Sequence, residues 1–357
     1  NQLEDPRSTV NQRHLLGDLI VICIMGVIAG ADGPLAIGVW AANNKRWLRQ
    51  RLQLPNGIPS HDTIGRLLAA LSPVGFQSCF ESWIASITVG EDEVDLRQIA
   101  VDGKVLRRSH DKRNGLGPLW LVSAWGVDRG ISLGQLATDE KSNEITAIPQ
   151  LLANLELTDS VVTIDAAGCQ RAIARQIIDA KGDYVFSLKG NQSKLQDAVS
   201  SYMETHMENN FAYIKARTFM ETLKGHGRVD EITYYQMPVP ADLVNRELGA
   251  GLKTIGVAIR ISQCGDVCTS EVRYYISSIG MGVKRFGRLV RGHWAIENTL
   301  HWCLDVTFRQ DESRVRNRNT ANNLAWLKRF SLSLLKQQKD KHSIAMRRRI
   351  AGWNIDY

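Results

Sequence analysis

The stretch VTIDAAGCQRAIARQI, Val162 to Ile177, ends a β-branched run on a single carboxylate, Asp165, and then passes through Gly168 into a helical pattern. An earlier stretch, RQIAVDGKVLRRSH, Arg97 to His110, repeats the arrangement with Asp102, Gly103 and a basic tail. Taken singly, each aspartate reads as the residue that opens a turn after its strand. Between them lie strand-like runs LWLVSAWGV and ISLGQLAT and a helical run NEITAIPQLLANLEL that Pro149 is expected to bend; after them come the helix CQRAIARQIIDAKG and the strand DYVFSLK. The order is β-β-β-α-β-α-β. Three hairpin-connected strands cannot bring Asp165 to Asp102, but a right-handed crossover helix lays the fourth strand parallel beside the first. In that topology the two aspartates become neighbours able to share divalent cations.

Around this core the chain changes texture. From His14 to Leu71 helices alternate with the breaks GADGP and LPNGIPS, and Ser60 is a strong N-cap for HDTIGRLLAALS. The acidic connector VGEDEVDLRQ leads into the strands. VDEITYYQMPV, KTIGVAIRIS and EVRYYISSIG read as strands of a β-rich insertion or sheet extension, and helical periodicity resumes at Val283. The expected organisation is a helical N-terminal domain over 1–90 with DNA ends as its expected ligand, a first core part over 91–210, a β-rich insertion over 211–280, and a late helix with a basic C-terminal region over 281–357.

The late helix supplies a third acid. In RGHWAIENTLHW, His293, Glu297 and His301 recur at i, i+4, i+8 and share a helix face, while Trp294 and Trp302 are expected to pin the helix against the sheet. A His-Glu-His stripe alone equally suits a structural network. Asp305, Asp311 and Glu312 are rival acids, with Asp305 two turns beyond Glu297.

Composition sets the bounds. A chain of 357 residues holds about two ordinary units, since domains usually take roughly 100 to 200 residues. The net charge of +7 is uneven: Lys284 to Arg349 carries sixteen Lys or Arg against five Asp or Glu, the footprint of a polyanion partner. The apolar run LIVICIMGVIAGA is too short for a bilayer, no signal-peptide pattern accompanies it, and no membrane association is expected. The six scattered cysteines suit a reducing cytoplasm; Cys264 and Cys268 lack a second pair at zinc-finger spacing.

The runs VDGKVLRRSHDKRNGLGPLWLVSAW, LGQLATDEKSNEITAIPQLL, TIDAAGCQ, DYVFSLKGNQ and HWAIENTLHWCLDVTFRQDESRVR closely resemble the DDE transposases of bacterial insertion sequences, in the branch that contains the H-repeat-associated proteins. The likeness extends over nearly the whole chain, including GADG and LPNGIPSHDT. It implies an RNase H-like catalytic core in which Asp102, Asp165 and Glu297 bind two Mg²⁺ ions, with Mn²⁺ able to substitute, for cleavage and transfer of DNA strands at element ends. Lys104, Arg107, Arg108, Lys189, Arg291 and His293 are the expected contacts to the DNA backbone, and a homodimer on DNA is the expected assembly. Some related transposases carry a Tyr, an Arg and a Lys at fixed offsets around the Glu. Val290, His293 and Leu304 stand there in this chain, so those roles do not transfer, although His293 remains a candidate phosphate contact. Two other readings stay open: a decayed relative that only binds DNA, and a metal-dependent nuclease that cuts without joining.

Overall fold

The computed structural model describes residues 3–88, 97–138, 144–225, 227–246 and 249–357; the acidic connector at 89–96 lies outside them. The chain is mixed α/β and divides into two compact units. One comprises Val94–Asp102 and Glu144–Ile296; the other comprises Asn1–Glu93, Gly103–Asn143 and Glu297–Tyr357.

The unit around Glu144–Ile296 is built on a sheet with strand order β1-β4-β5-β9-β8-β7-β6. Its strands are β1 (Arg97–Leu106, here as far as Asp102), β4 (Ser160–Ile164), β5 (Asp183–Leu188), β6 (Arg217–Gly225), β7 (Arg228–Pro238), β8 (Thr254–Cys264) and β9 (Val267–Ser277). Strands β1, β4 and β5 run parallel, as expected for strands joined through helices, here α6 (Glu144–Leu152) and α7 (Arg171–Asp179). β4 is buried at every position, and apart from Ser160 and Thr163 its residues are apolar. From β5 outward the pairing is antiparallel: β9 joins β5, and the long hairpins β8–β9 and β6–β7 carry the sheet outward.

Two more helices complete this unit, α8 (Ser193–Glu208) and α9 (Val283–Ile296). On α9, Val283, Phe286, Leu289 and Val290 turn inward and meet Val161 of β4, Val185 of β5, and Ile232, Tyr234, Ala258 and Tyr275 of the antiparallel strands. Trp294 packs at the edge of the same core.

The other unit joins the N-terminal helices to the C-terminal ones. It contains α1 (Leu16–Ile28), α2 (Pro34–Asn43), α3 (Lys45–Leu48), α4 (His61–Ala70), α5 (Pro73–Thr88), the remainder of β1, the hairpin β2 (Leu119–Gly126) and β3 (Ile131–Thr138), α10 (Arg318–Gln337) and α11 (Ile344–Trp353). Ser60 caps α4 by accepting the Thr63 N–H at 3.2 Å. The central element is α10, which packs on α1, α4, α5 and β3. Its Asn323 donates to Leu68 O and Leu71 O, carbonyls left over at the C-terminus of α4. Arg348 of α11 does the same for α1, donating to Val27 O and Ala31 O, and it also donates to Thr307 O.

The helix expected to run on from Val283 through Phe308 changes its winding at Glu297. Glu297–His301 and Cys303–Thr307 are π-helical. Leu300, Leu304 and Phe308, spaced by four, are all fully buried. In an α-helix such a series drifts by about 40° at each step, so a wider winding keeps it on one line. Trp302 was expected to pin this segment; instead it is 55 % exposed, on the side away from the buried series. No described helix is long and apolar enough to cross a membrane.

Candidate active site

Register decides where the two aspartates stand. β1 and β4 pair residue for residue from Arg97↔Ser160 to Val101↔Ile164, and Asp102 and Asp165 are the next residues on their chains. Side chains two apart on a strand point the same way, so Gln98, Ala100 and Asp102 share a face, as do Val161, Thr163 and Asp165. Val161 belongs to the core under α9, which identifies that face as the one the helix covers. Both carboxylates are half-buried; Asp165 directly follows β4, whereas Asp102 stands within β1, where Lys104 and Leu106 beyond it are buried again. Asp165 opens a short 3-10 turn, Ala166–Gly168, and its Oδ1 accepts the Ala167 N–H at 3.0 Å.

The turn after Asp165 is braced from outside. Asn191 donates its amide N–H to Ala166 O, and Gln192 Nε2 donates to Cys169 O at 3.0 Å. These two follow Lys189 in the run KGNQ; Lys189 itself is exposed. Arg291 of α9 reaches Glu221 of β6 at 2.6 Å, and the same carboxylate accepts the Tyr234 hydroxyl at 2.9 Å. His293, one turn before the end of α9, lies with Nδ1 3.2 Å from Thr163 Oγ1.

In the other unit Glu297 begins the first π-helical segment. Its side chain is 68 % exposed, and its Oε2 lies 3.5 Å from Nδ1 of buried His301. Asp305 is engaged differently: the ammonium of buried Lys104 makes an ion pair with it and lies 3.9 Å from Asp311. Arg107 reaches Asp311 at 3.3 Å. Burial pushes the Asp311 carboxyl up, against the pull of Lys104. Lys104 is thus held by two carboxylates, while Arg107 and Arg108 beyond it are exposed. Asp102 in one unit, and Glu297 with His301 in the other, offer oxygen and nitrogen ligand atoms of the kind that hold a metal ion.

Gln98, Thr163, Asn191 and Gln192 were not singled out by the sequence. The available signal was slight: a glutamine and a threonine at inward positions of apolar strands, which require polar partners when buried.

Residues 94–334 match the Transposase DDE domain, and residues 1–84 match the family that accompanies that domain. The chain belongs to the DDE transposases. Among curated proteins it is 37 % identical to YncI of Escherichia coli O157:H7, provisionally named a transposase, over 99 % of this chain and 91 % of that one. It is 35 % identical to YhhI of E. coli K12, an H-repeat-associated protein also provisionally named a transposase, over 94 % and 89 % of the two chains. The piggyBac transposase synaptic complex with hairpin DNA aligns with a TM-score of 0.42 at 9 % identity, covering 97 % of this chain and 73 % of that one, a likeness too loose to carry an argument.

Proposed function

We propose that this protein is a transposase that cleaves DNA strands at the ends of an insertion sequence and joins them to target DNA, using an RNase H-like core in which Asp102, Asp165 and Glu297 hold two Mg²⁺ ions. The supporting observation is the register: in a chain of this family, two aspartates occupy matching positions on adjacent parallel strands, on the face that α9 covers. Carboxylate oxygens are the donors that Mg²⁺ and Mn²⁺ favour, and both aspartates keep solvent access. Glu297 is favoured over Asp305 as the third acid because the charge of Asp305 is already matched by Lys104, whereas the Glu297 side chain is largely exposed.

Bound divalent ions would supply Lewis acidity for in-line displacement at a phosphodiester. The chain itself supplies position and charge. Asp102 and Asp165 place two carboxylates on a rigid sheet, and the Asn191 and Gln192 amides hold the turn that carries Asp165. Arg107, Arg108 and Lys189 are exposed cations suited to phosphate oxygens, which position DNA without reading its sequence. Arg291 extends this set along α9, and half-buried His293 adds a hydrogen-bonding ring beside it, while Lys104 serves to neutralise Asp305 and Asp311. DNA ends and target are the partners, with a homodimer on DNA and a cytoplasmic location following from that role.

The test is cleavage and joining of labelled element-end DNA with Mg²⁺ or Mn²⁺. Wild-type protein should do both; Asp102→Asn, Asp165→Asn and Glu297→Gln should do neither while still binding DNA, and Asp305→Asn should retain part of the activity. Cleavage without joining would make the protein a nuclease, binding without cleavage a decayed relative. An inactive Asp305 variant beside an active Glu297 variant would reverse the choice of third acid.

A further inference from the structure

A chain of polar side chains links the two strands that carry the aspartates to α9. Gln98 stands four residues before Asp102 on β1, and Thr163 stands two before Asp165 on β4. Gln98 Nε2 donates to Leu289 O of α9 at 2.7 Å and to Thr163 Oγ1 at 3.1 Å. The backbone carbonyl settles which end of the amide is nitrogen, because only the NH₂ end can donate to it. Thr163 Oγ1 therefore accepts from Gln98. Its other neighbour is His293 Nδ1 at 3.2 Å.

The hydrogen of the Thr163 hydroxyl then has a defined destination. Thr163 is 1 % exposed, so water cannot take that hydrogen, and His293 Nδ1 is the acceptor the described residues place beside it. Leaving a buried hydroxyl hydrogen without an acceptor is disfavoured. Thr163 accordingly donates to Nδ1, which must be the bare nitrogen of a neutral ring. The ring proton then sits on Nε2.

We propose that Gln98 and Thr163 are positioning residues that hold His293 as its neutral Nε2–H tautomer, so that α9 presents an N–H donor to a phosphate oxygen of bound DNA. The role of the donor rests on the transposase reading above; the tautomer does not. Close packing supports the arrangement. A Cβ on Gly292 would lie 2.1 Å from Gln98 Oε1, and the Gln98 amide cannot swing aside without giving up its two bonds. Glycine next to His293 lets the helix come down onto the relay.

The test uses the full chain labelled with ¹⁵N-histidine, with His293 assigned through the spectrum of His293→Gln. Long-range ¹H–¹⁵N correlations distinguish the two tautomers directly, without DNA or metal. Wild type and Thr163→Ser should both show Nε2–H at His293, and Thr163→Val, nearly the same in shape, should lose that preference. In Mg²⁺-dependent cleavage Thr163→Val should fall by roughly 10- to 100-fold, the usual range for a group that orients a site residue, with Thr163→Ser close to wild type. Nδ1–H at His293 in wild type or in Thr163→Ser overturns the proposal even if Thr163→Val fails to fold. Unchanged tautomer and cleavage in a folded Thr163→Val also overturn it. Inactivity of the wild-type chain on DNA would instead overturn the transposase reading and, with it, the donor's role, leaving the tautomer to be decided by the spectra.

Discussion

Helices α9 and α10 bury polar groups in opposite ways. Within its unit, α9 sets an apolar stripe against the sheet and lets Gln98, Thr163 and His293 satisfy one another at one end. Within the other unit, α10 buries two adjacent cations, Lys328 and Arg329, 2 % and 0 % exposed. Arg329 donates Nη1 to Ala325 O of its own helix, while its Nε and Nη2 have no hydrogen-bond partner among the described residues. Burial lowers the Arg329 guanidinium to about 10 and the Lys328 ammonium to about 8. A satisfied network fixes geometry at little energetic loss, whereas an under-bonded buried charge opposes folding. On this view α9 is built for position, and α10 tolerates charge because its many apolar neighbours outweigh it.

The comparison breaks most visibly if the packing under α9 proves loose. A Cβ on Gly256 would lie 2.5 Å from Phe286 Cζ, and the Phe286 ring is held between Tyr234 and Tyr275 with edge-on contacts at 6.3 and 5.5 Å between centroids. Gly256→Ala should therefore lose about 1–3 kcal/mol, the usual result of overpacking a close-packed core. Urea denaturation showing an unchanged midpoint and slope would mean that this core yields.

A smaller effect of opposite sign is expected on α10. Arg329→Met keeps much of the volume and removes the under-bonded charge, so stability should rise by about 1 kcal/mol. A loss of stability in the same denaturation experiment would show that Arg329 has a compensating role, and that the two helices differ less than their hydrogen bonds indicate.

The smallest effect concerns Asp340, after α10. Its carboxyl is held down at about 2 by the hydrogen bond from the Tyr357 hydroxyl, with the His342 N–H and Arg347 also lowering it. The folded value lies below the unfolded one, near 4, so the bond's contribution is present above about pH 4 and is lost as pH falls toward 2. Melting temperatures of wild type and Asp340→Asn should differ modestly at pH 6 and converge by pH 2. A gap that persisted at pH 2 would place the effect elsewhere.

What the sequence could show follows from the range of the interactions. The placement of Asp165 at the end of its strand, its meeting with Asp102 across β1 and β4, and the Ser60 cap rest on local patterns and one topological rule, and the structure has each of these features, although Asp102 stands inside β1, which runs on to Leu106. The relay does not rest on such patterns: Gln98 and Leu289 are 191 residues apart, and Thr163 and His293 are 130 apart. Helical spacing assigned His293 to a stripe with Glu297 because spacing sees only the helix itself. The charge count marks the basic C-terminal third as the footprint of a polyanion, yet four of its cations, Lys328, Arg329, Arg347 and Arg348, are buried. Arg347 and Arg348 donate to main-chain carbonyls of their own unit, a use of arginine that a count of charges cannot reveal.

The π-helical winding after α9 has one more consequence. A π turn is in effect an α-helix with one residue too many, held without a change of phase, because the wider turn and the ordinary one sweep nearly the same angle. Glu297–His301 can therefore lose one residue, relax to α and keep Leu304 and Phe308 in the core, whereas losing two would turn everything downstream by roughly 100° about the axis and carry Asp305 away from Lys104. A two-residue deletion in an exposed loop would be absorbed locally. Length in this segment is therefore a coded quantity: the chain counts residues here, where elsewhere it chiefly counts kinds.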